Sequence, residues 1–309
     1  MDSVSQITLG AAALHVVTGQ KLGRKSLILG AALGTLPDLD VLINYGDAVS
    51  NYTRHRGFSH SIFVLSMAAP LVTFLLRRFQ AFKTISHFQL LLGVWLALVT
   101  HPILDSFTVY GTQLFWPLNR SPESWASICI IDPLYTLPLL AAGLYALFKK
   151  PHASVLSVIG LSLSSAYLGW TLYGKSQVLY HIKSELQRQG ITYQNLKLTP
   201  ERYNTLYWRG IVMDKDVFYE TRANVFQPQS SLSFNPYRHN KQWLKNLPSN
   251  VAAQRLAWFS NGFFQMSDRQ NMIIISDLRM GSEGFSIFEF AVADSTDLHK
   301  PFWPRNAPR

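Results

Sequence analysis

Charge is what this sequence has least of. Of its 309 residues only 15% are charged, while 48% are hydrophobic; soluble domains carry about 25% charged residues. Acids are the scarcer sign, with 18 Asp and Glu against 28 Lys and Arg, a formal net charge of +10. The deficit is uneven. Residues 1–175 hold long apolar runs and few acids, whereas residues 176–309 have the composition of an ordinary soluble domain. Cysteine is almost missing: Cys129 alone excludes an intramolecular disulfide framework and a Cys-rich zinc cluster. The first ten residues lack the basic stretch of a signal peptide. Membrane insertion is therefore expected to rest on the apolar segments themselves. Positive charge lying between such segments reads as membrane topology and not as nucleic-acid binding, so no nucleic-acid partner is expected.

Six apolar segments can be traced, at residues 7–17, 26–43, 59–76, 87–107, 130–148 and 153–173. The first is short for a bilayer core, which takes about 20 residues. Basic clusters close several of them: Lys21, Arg24 and Lys25; Arg77, Arg78 and Lys83; Lys149 and Lys150. Placing these clusters on the cytoplasmic side gives an alternating path that leaves the C-terminal region outside. Arg54 and Arg56 are the dissenting cations. After residue 175 the pattern changes. Residues 176–190 have helical spacing and end at Gly190. Runs at 204–213, 217–224, 255–266, 272–278 and 285–293 are aromatic and β-branched, with turn signals between them. The expected fold is an α-helical multi-span membrane domain over residues 1–174, then a small, mainly antiparallel β (α+β) soluble domain over residues 175–309.

Ionisable residues at the ends of apolar segments are costly and mark functional sites. Asp38 and Asp40 close the second segment, His55 and His60 precede the third, His101 and Asp105 end the fourth, and Asp132 opens the fifth. The topology uses Lys and Arg alone, yet it brings all seven groups to one membrane face. His101 and Asp105 are four apart and share a helical face, a natural two-ligand edge for a metal. Asp38 and Asp40 are two apart and do not share one. Pro37 implies a local break at which both could turn inward. Imidazole and carboxylate suit zinc, with manganese or iron as alternatives. A bound metal lowers the pKa of its water and makes a nucleophile available. Arg56 beside the site could hold an anionic oxygen such as a phosphate. His15, inside the first segment, reads as a packed histidine, and no G-x-S-x-G pattern supports serine catalysis.

These motifs resemble those of the YdjM family of bacterial inner-membrane, metal-dependent hydrolases. The resemblance rests on Gly34-Thr35-Leu36-Pro37-Asp38-Leu39-Asp40, His55-Arg56-Gly57-Phe58-Ser59-His60-Ser61, Thr100-His101-Pro102-Ile103-Leu104-Asp105 and Ile131-Asp132-Pro133-Leu134-Tyr135. Asp277-Leu278-Arg279-Met280-Gly281 resembles the longer members with a trailing domain. It implies a bacterial inner (cytoplasmic) membrane location. A more distant similarity to zinc-dependent phospholipase C rests on His101 and Asp105, although that enzyme's N-terminal Trp ligand has no counterpart here.

The expectation is a membrane-bound, metal-dependent hydrolase acting on an ester or phosphoester, lipid-derived if site depth is a guide. Asp38, Asp40, His60, His101 and Asp105 would be ligands, His55 a ligand or general acid, and Arg56 the anion clamp. The alternative is a non-catalytic metal protein with a regulatory or envelope-stress role.

Overall fold

The computed structural model describes residues 1–148, 153–227, 231–282, 285–298 and 300–308; the basic pair Lys149-Lys150 lies outside them. The chain divides into two compact units. One comprises Met1–Asp40, Arg56–Leu172 and Arg202–Asn204; the other comprises Val41–His55, Tyr173–Glu201 and Thr205–Arg309.

The first unit is helical. Helix α1 (Ser3–Leu22) starts where the Asp2 carboxylate accepts from the Val4 and Ser5 amides, and it ends at Gly23, whose φ of 55° suits glycine. Helix α2 (Arg24–Thr35) packs back along it. Their backbones approach through Gly10, Gly30 and Gly34. A Cβ on Gly10 would lie 2.4 Å from the Gly30 carbonyl oxygen and 2.7 Å from Gly34 Cα. Small residues permit this approach where lipid offers helices no hydrophobic drive to associate. Pro37 then breaks the helix into a 3-10 turn, Pro37–Leu42. The short α3 (Ala48–Arg54) belongs to the other unit. A second 3-10 turn, Phe58–His60, leads into α4 (Ile62–Leu76), capped by the Ser61 hydroxyl. The single turn α5 (Gln80–Lys83) joins it to α6 (His87–Ser106), capped by Ser86. Leu14 of α1, Leu65 of α4, and Leu90, Val94 and Leu98 of α6 form one buried cluster. Next come α7 (Pro133–Phe148) and α8 (Ala153–Arg188), a helix of 36 residues.

Among the described residues two helices, α6 and α8, are long and apolar enough to cross a membrane. The pair Ala48–His60 and Ile62–Leu76, bent by 54°, makes a third if it is one span. The six apolar segments thus resolve into fewer clear spans. Helix α1 buries much of its length inside the unit, α2 has 12 residues, and α7 has 16. Two of the basic groups lie at one end of α6. Lys21 reaches Gln89 Oε1 at 3.4 Å and Arg77 donates to the Ile85 carbonyl at 3.1 Å, both at the start of α6. His101 and Asp105 lie about 20 Å further along at 1.5 Å per residue.

In the second unit β1 (Asn195–Pro200), β2 (Tyr207–Met213), β3 (Val217–Asn224) and β4 (Asn235–Arg238) form an antiparallel meander in that order. After helix α9 (Val251–Phe259) come β5 (Phe264–Arg269), β6 (Met272–Asp277), the ribbon β7 (Gly281–Ser282) with β8 (Phe285–Ser286), β9 (Glu289–Asp294) and β10 (Arg305–Asn306). The second sheet has the order β10-β9-β6-β5 and is antiparallel.

Two expectations change here. Residues 255–266 are not one strand. Asn250 caps a helix whose Ala253, Leu256 and Phe259 bury one face, and only after Asn261 and Gly262, both at positive φ, does β5 begin. The helix expected over residues 176–190 is the continuation of α8, which ends just before Gly190 at φ 66°. The composition shifts near Lys175, but nothing there interrupts the backbone.

Residues Val41–His55 join this unit through Tyr52. Its ring packs on Phe259, Phe288 and Phe290 at 4.8–5.1 Å, and its hydroxyl donates to Asp277 Oδ2 at 3.0 Å. Asp277 also holds the buried Arg279 in a two-point ion pair, at 2.9 and 2.6 Å.

Gly10→Ala is expected to lower stability by about 1–3 kcal/mol, because the helix pair has no room for a methyl group. Gly143→Ala, whose Cβ meets nothing within 4 Å, should leave stability unchanged or slightly raised. Thermal unfolding of the two variants in detergent checks the contrast.

Candidate metal centre

The site is built around two imidazoles that face each other. His60 Nε2 and His101 Nε2 are 3.1 Å apart. Asp38 Oδ1 lies 3.3 Å from the first and 3.4 Å from the second. Asp105 Oδ2 lies 3.3 and 3.5 Å from the same two atoms. These four side chains form the one group of at least three potential metal ligands found among the described residues.

What stands behind each ring fixes its proton. His101 Nδ1 is 2.5 Å from the Gly34 carbonyl oxygen, which can only accept, so Nδ1 carries the hydrogen. Ser59 donates its hydroxyl hydrogen to Asp40 Oδ2 at 2.6 Å, so the contact of His60 Nδ1 with Ser59 Oγ, at 3.0 Å, is a donation from the ring. Asp40 Oδ2 is also 3.6 Å from His60 Nδ1. In neutral rings both Nε2 atoms are then lone pairs, and they point at each other and at two carboxylate oxygens. Asp105 Oδ2 is buried and makes no hydrogen bond among the described residues; the Arg56 guanidinium pairs with it from outside the group, at 3.3 Å. Four acceptors this close require positive charge between them. A proton on one ring serves at most two, whereas a divalent cation serves all four. Tetrahedral zinc with bonds of about 2.0–2.1 Å needs ligand atoms roughly 3.3–3.4 Å apart, and the five distances above run from 3.1 to 3.5 Å. The residues present therefore fit a metal ion.

Local structure explains the arrangement. His101 and Asp105, four apart on α6, present one face, as their spacing predicts. Asp38 and Asp40 part company within the 3-10 turn: Asp38 joins the group, while Asp40 accepts from Ser59 and from the Arg56 amide, at 3.0 Å, and lies behind His60. Arg56 adopts φ 62°, a left-handed conformation that L-residues avoid. Its guanidinium is buried 3.3 Å from Asp105 Oδ2 and from Thr108 Oγ1, and lies 4.9 Å over the Tyr110 ring. His55 is the C-cap of α3, packs with the second unit, and is outside the four-donor group. Asp132 is buried elsewhere, accepting from Tyr167 Oη at 2.9 Å.

Sequence reasoning missed Gln6 and Ser59. Gln6 Nε2 donates to Asp105 Oδ1 at 3.0 Å and to the His101 carbonyl at 3.3 Å. The Met1 amino group pairs with the same Asp105 oxygen. The available signal was an uncharged amide at the start of an apolar segment; a search for ionisable groups passes over it.

A helical unit with apolar spans and a buried Asp/His cluster at one end of α6 defines a membrane protein with a candidate metal centre. The chain belongs to the YdjM inner membrane protein family, which matches residues 1–178 and so includes every residue of the cluster. It is 29% identical over 149 residues to the uncharacterized protein YfhP of Bacillus subtilis (strain 168), covering 46% of this chain and 45% of YfhP. It is 34% identical over 118 residues to the inner membrane protein YbcI of Escherichia coli (strain K12), covering 36% of this chain and 66% of YbcI. The matches thus span less than two thirds of either relative. No solved structure matches the chain.

Purified in detergent, the wild-type chain should retain divalent metal, and His101→Ala and Asp105→Ala should lose it. Asp40→Asn should keep the metal but weaken its binding by about 10–100-fold, the usual effect of losing a group that orients a ligand. Elemental analysis across a chelator titration checks this; equal, negligible metal in all four proteins would remove the site.

Proposed function

We propose that this protein is a membrane-bound, metal-dependent hydrolase acting on an ester or phosphoester at the outer face of the inner membrane. The observation that carries the reading is the convergence of Asp38 Oδ1, His60 Nε2, His101 Nε2 and Asp105 Oδ2. A divalent cation bound by these groups, with zinc the best match to the donors, supplies Lewis-acid polarisation and an activated water. The chain's own groups do the rest. Gly34 and the Ser59–Asp40 pair hold the two rings with Nε2 inward. Asp38, with 27% of its side chain exposed against 0–1% for the other three, marks the open edge at which a substrate arrives. Arg56 fixes a buried cation 3.3 Å from Asp105 Oδ2, suited to an anionic oxygen of the substrate. His55 is given no role.

A second reading has its own support. Four protein donors already complete a tetrahedron, and structural metal sites are closed in this way while catalytic ones keep a position open. Metal-loaded wild type should hydrolyse at least one of a phosphodiester, a phosphomonoester, a carboxylic ester or a phospholipid, and lose that activity with chelator. Arg56→Gln should keep the metal and lower kcat/KM for a phosphoester by about 10²–10³-fold, the scale of one lost electrostatic stabiliser. Bound metal with no turnover of any of the four classes would establish the closed, structural or sensory site.

The proposed orientation follows from Lys21 and Arg77 gathering at the start of α6, opposite the cluster, together with the tendency of basic loops to remain cytoplasmic. A reporter fused behind the second unit should be active in the periplasm; an active cytoplasmic fusion would reverse the topology.

A further inference from the structure

The far end of α1 borders a cavity. This cavity of about 850 Å³ opens at the turn between α1 and α2 and beside the facing ends of α7 and α8, within the range of ligand pockets, roughly 300–1,000 Å³. It lies about 22 Å along α1 from Gln6, counting 1.5 Å per residue to Lys21, and so is separate from the metal centre. Three exposed cations line it, Lys21, Arg24 and Lys25, and no acid does among the described residues. Helix α2 starts here at Gly23, which offers no side-chain cap, so its positive end faces the same space.

One buried group asks for a partner. His15 lines the cavity at 1% exposure, its ring lying against Gly19, where a Cβ would meet it at 2.5 Å. Ser26 Oγ donates to the Gly23 carbonyl at 2.6 Å, so its one hydrogen is engaged, and the 2.7 Å contact with His15 Nδ1 is a donation from the ring. Nε2 of the neutral ring is then a buried acceptor that meets no donor among the described residues. Buried polar groups left unsatisfied are rare and costly. The cations call for an anionic phosphate, and His15 calls for a hydroxyl close to it. The apolar part of the wall, Ala146, Ala153 and the exposed Val155, suits the carbon chain of a lipid.

We propose that this cavity binds the headgroup of an anionic glycerophospholipid whose phosphodiester carries a free hydroxyl, as in phosphatidylglycerol. Lys21, Arg24 and Lys25 take the phosphate, and His15 Nε2 accepts from the hydroxyl.

Native mass spectrometry of the full chain, released from detergent and titrated with defined lipids, tests this. Wild type should retain phosphatidylglycerol in preference to phosphatidylethanolamine. The double variant Arg24→Gln/Lys25→Gln should lose about thirtyfold in affinity, at roughly a factor of five per cation near an anionic headgroup. His15→Phe should weaken phosphatidylglycerol and leave phosphatidic acid, which lacks the alcohol, unchanged. Ser154→Glu, which places an acid on the cavity wall, should weaken both lipids. An unchanged thermal unfolding midpoint in detergent reports that each variant is folded. Equal retention of phosphatidylglycerol and phosphatidylethanolamine by wild type, or full retention of phosphatidylglycerol by the folded double variant, would overturn the proposal. Displacement of the lipid by inorganic phosphate at equal concentration would also overturn it, in favour of a soluble phosphate ligand.

Discussion

Asp105 is a carboxylate with no exposed surface, in the last turns of an apolar helix. An isolated charge there would cost far more than folding can return. The helical unit converges on it: Gln6 from α1, Arg56 and His60 from the segment between α3 and α4, and His101 one turn away on α6. The Met1 amino group also lies against it. Oδ1 is consumed by the amide and the amino group, which leaves Oδ2 facing the two imidazoles. The compensation is thus divided between the carboxylate's two sides, and only one side is directed at the cluster.

The division depends on helix packing. Gln6 reaches Asp105, and Gly34 reaches His101, because α1 and α2 touch at Gly10, Gly30 and Gly34. The Gly34 carbonyl that sets the proton on His101 belongs to a residue with no room for a side chain. The same glycine therefore permits the close approach of two helices and determines which nitrogen of a histidine is available. A bulkier residue there would press on the Gln6 carbonyl, 2.6 Å from the added Cβ, and move both partners together.

Residue spacing made part of this legible. His101 and Asp105 share a helical face whatever surrounds them, and Pro37 forces a break that frees Asp38 from helical geometry. The different roles of Asp38 and Asp40 were not legible, because they depend on where Ser59 and the Arg56 amide lie across the turn. Gln6 is silent to a search based on charge. Pattern also misjudged α9, where aromatic residues that suit a strand sit on a capped helix and bury one face of it. The assignment of Val41–His55 to the β-rich unit rests on Tyr52 finding Phe259, Phe288, Phe290 and Asp277, partners more than 200 positions away. No local signal encodes such a match.

The excursion of Val41–His55 has a consequence for the site. In the chain it is bounded by Asp40 and Arg56, and Asp40 accepts from the Arg56 amide at 3.0 Å. The two ends of a loop of 15 residues are thus closed by one hydrogen bond between the group behind His60 and the cation beside Asp105. Loop length adds little to the entropy of such a closure, so the segment between can be committed to packing with the second unit at small cost to the site. The left-handed φ of Arg56, which costs about 1–2 kcal/mol for an L-residue, is the local expense of turning that amide toward Asp40. Glycine would adopt the conformation freely but would supply no guanidinium. The strained residue is retained where a single position must provide both a backbone donor to Asp40 and a buried cation against Asp105.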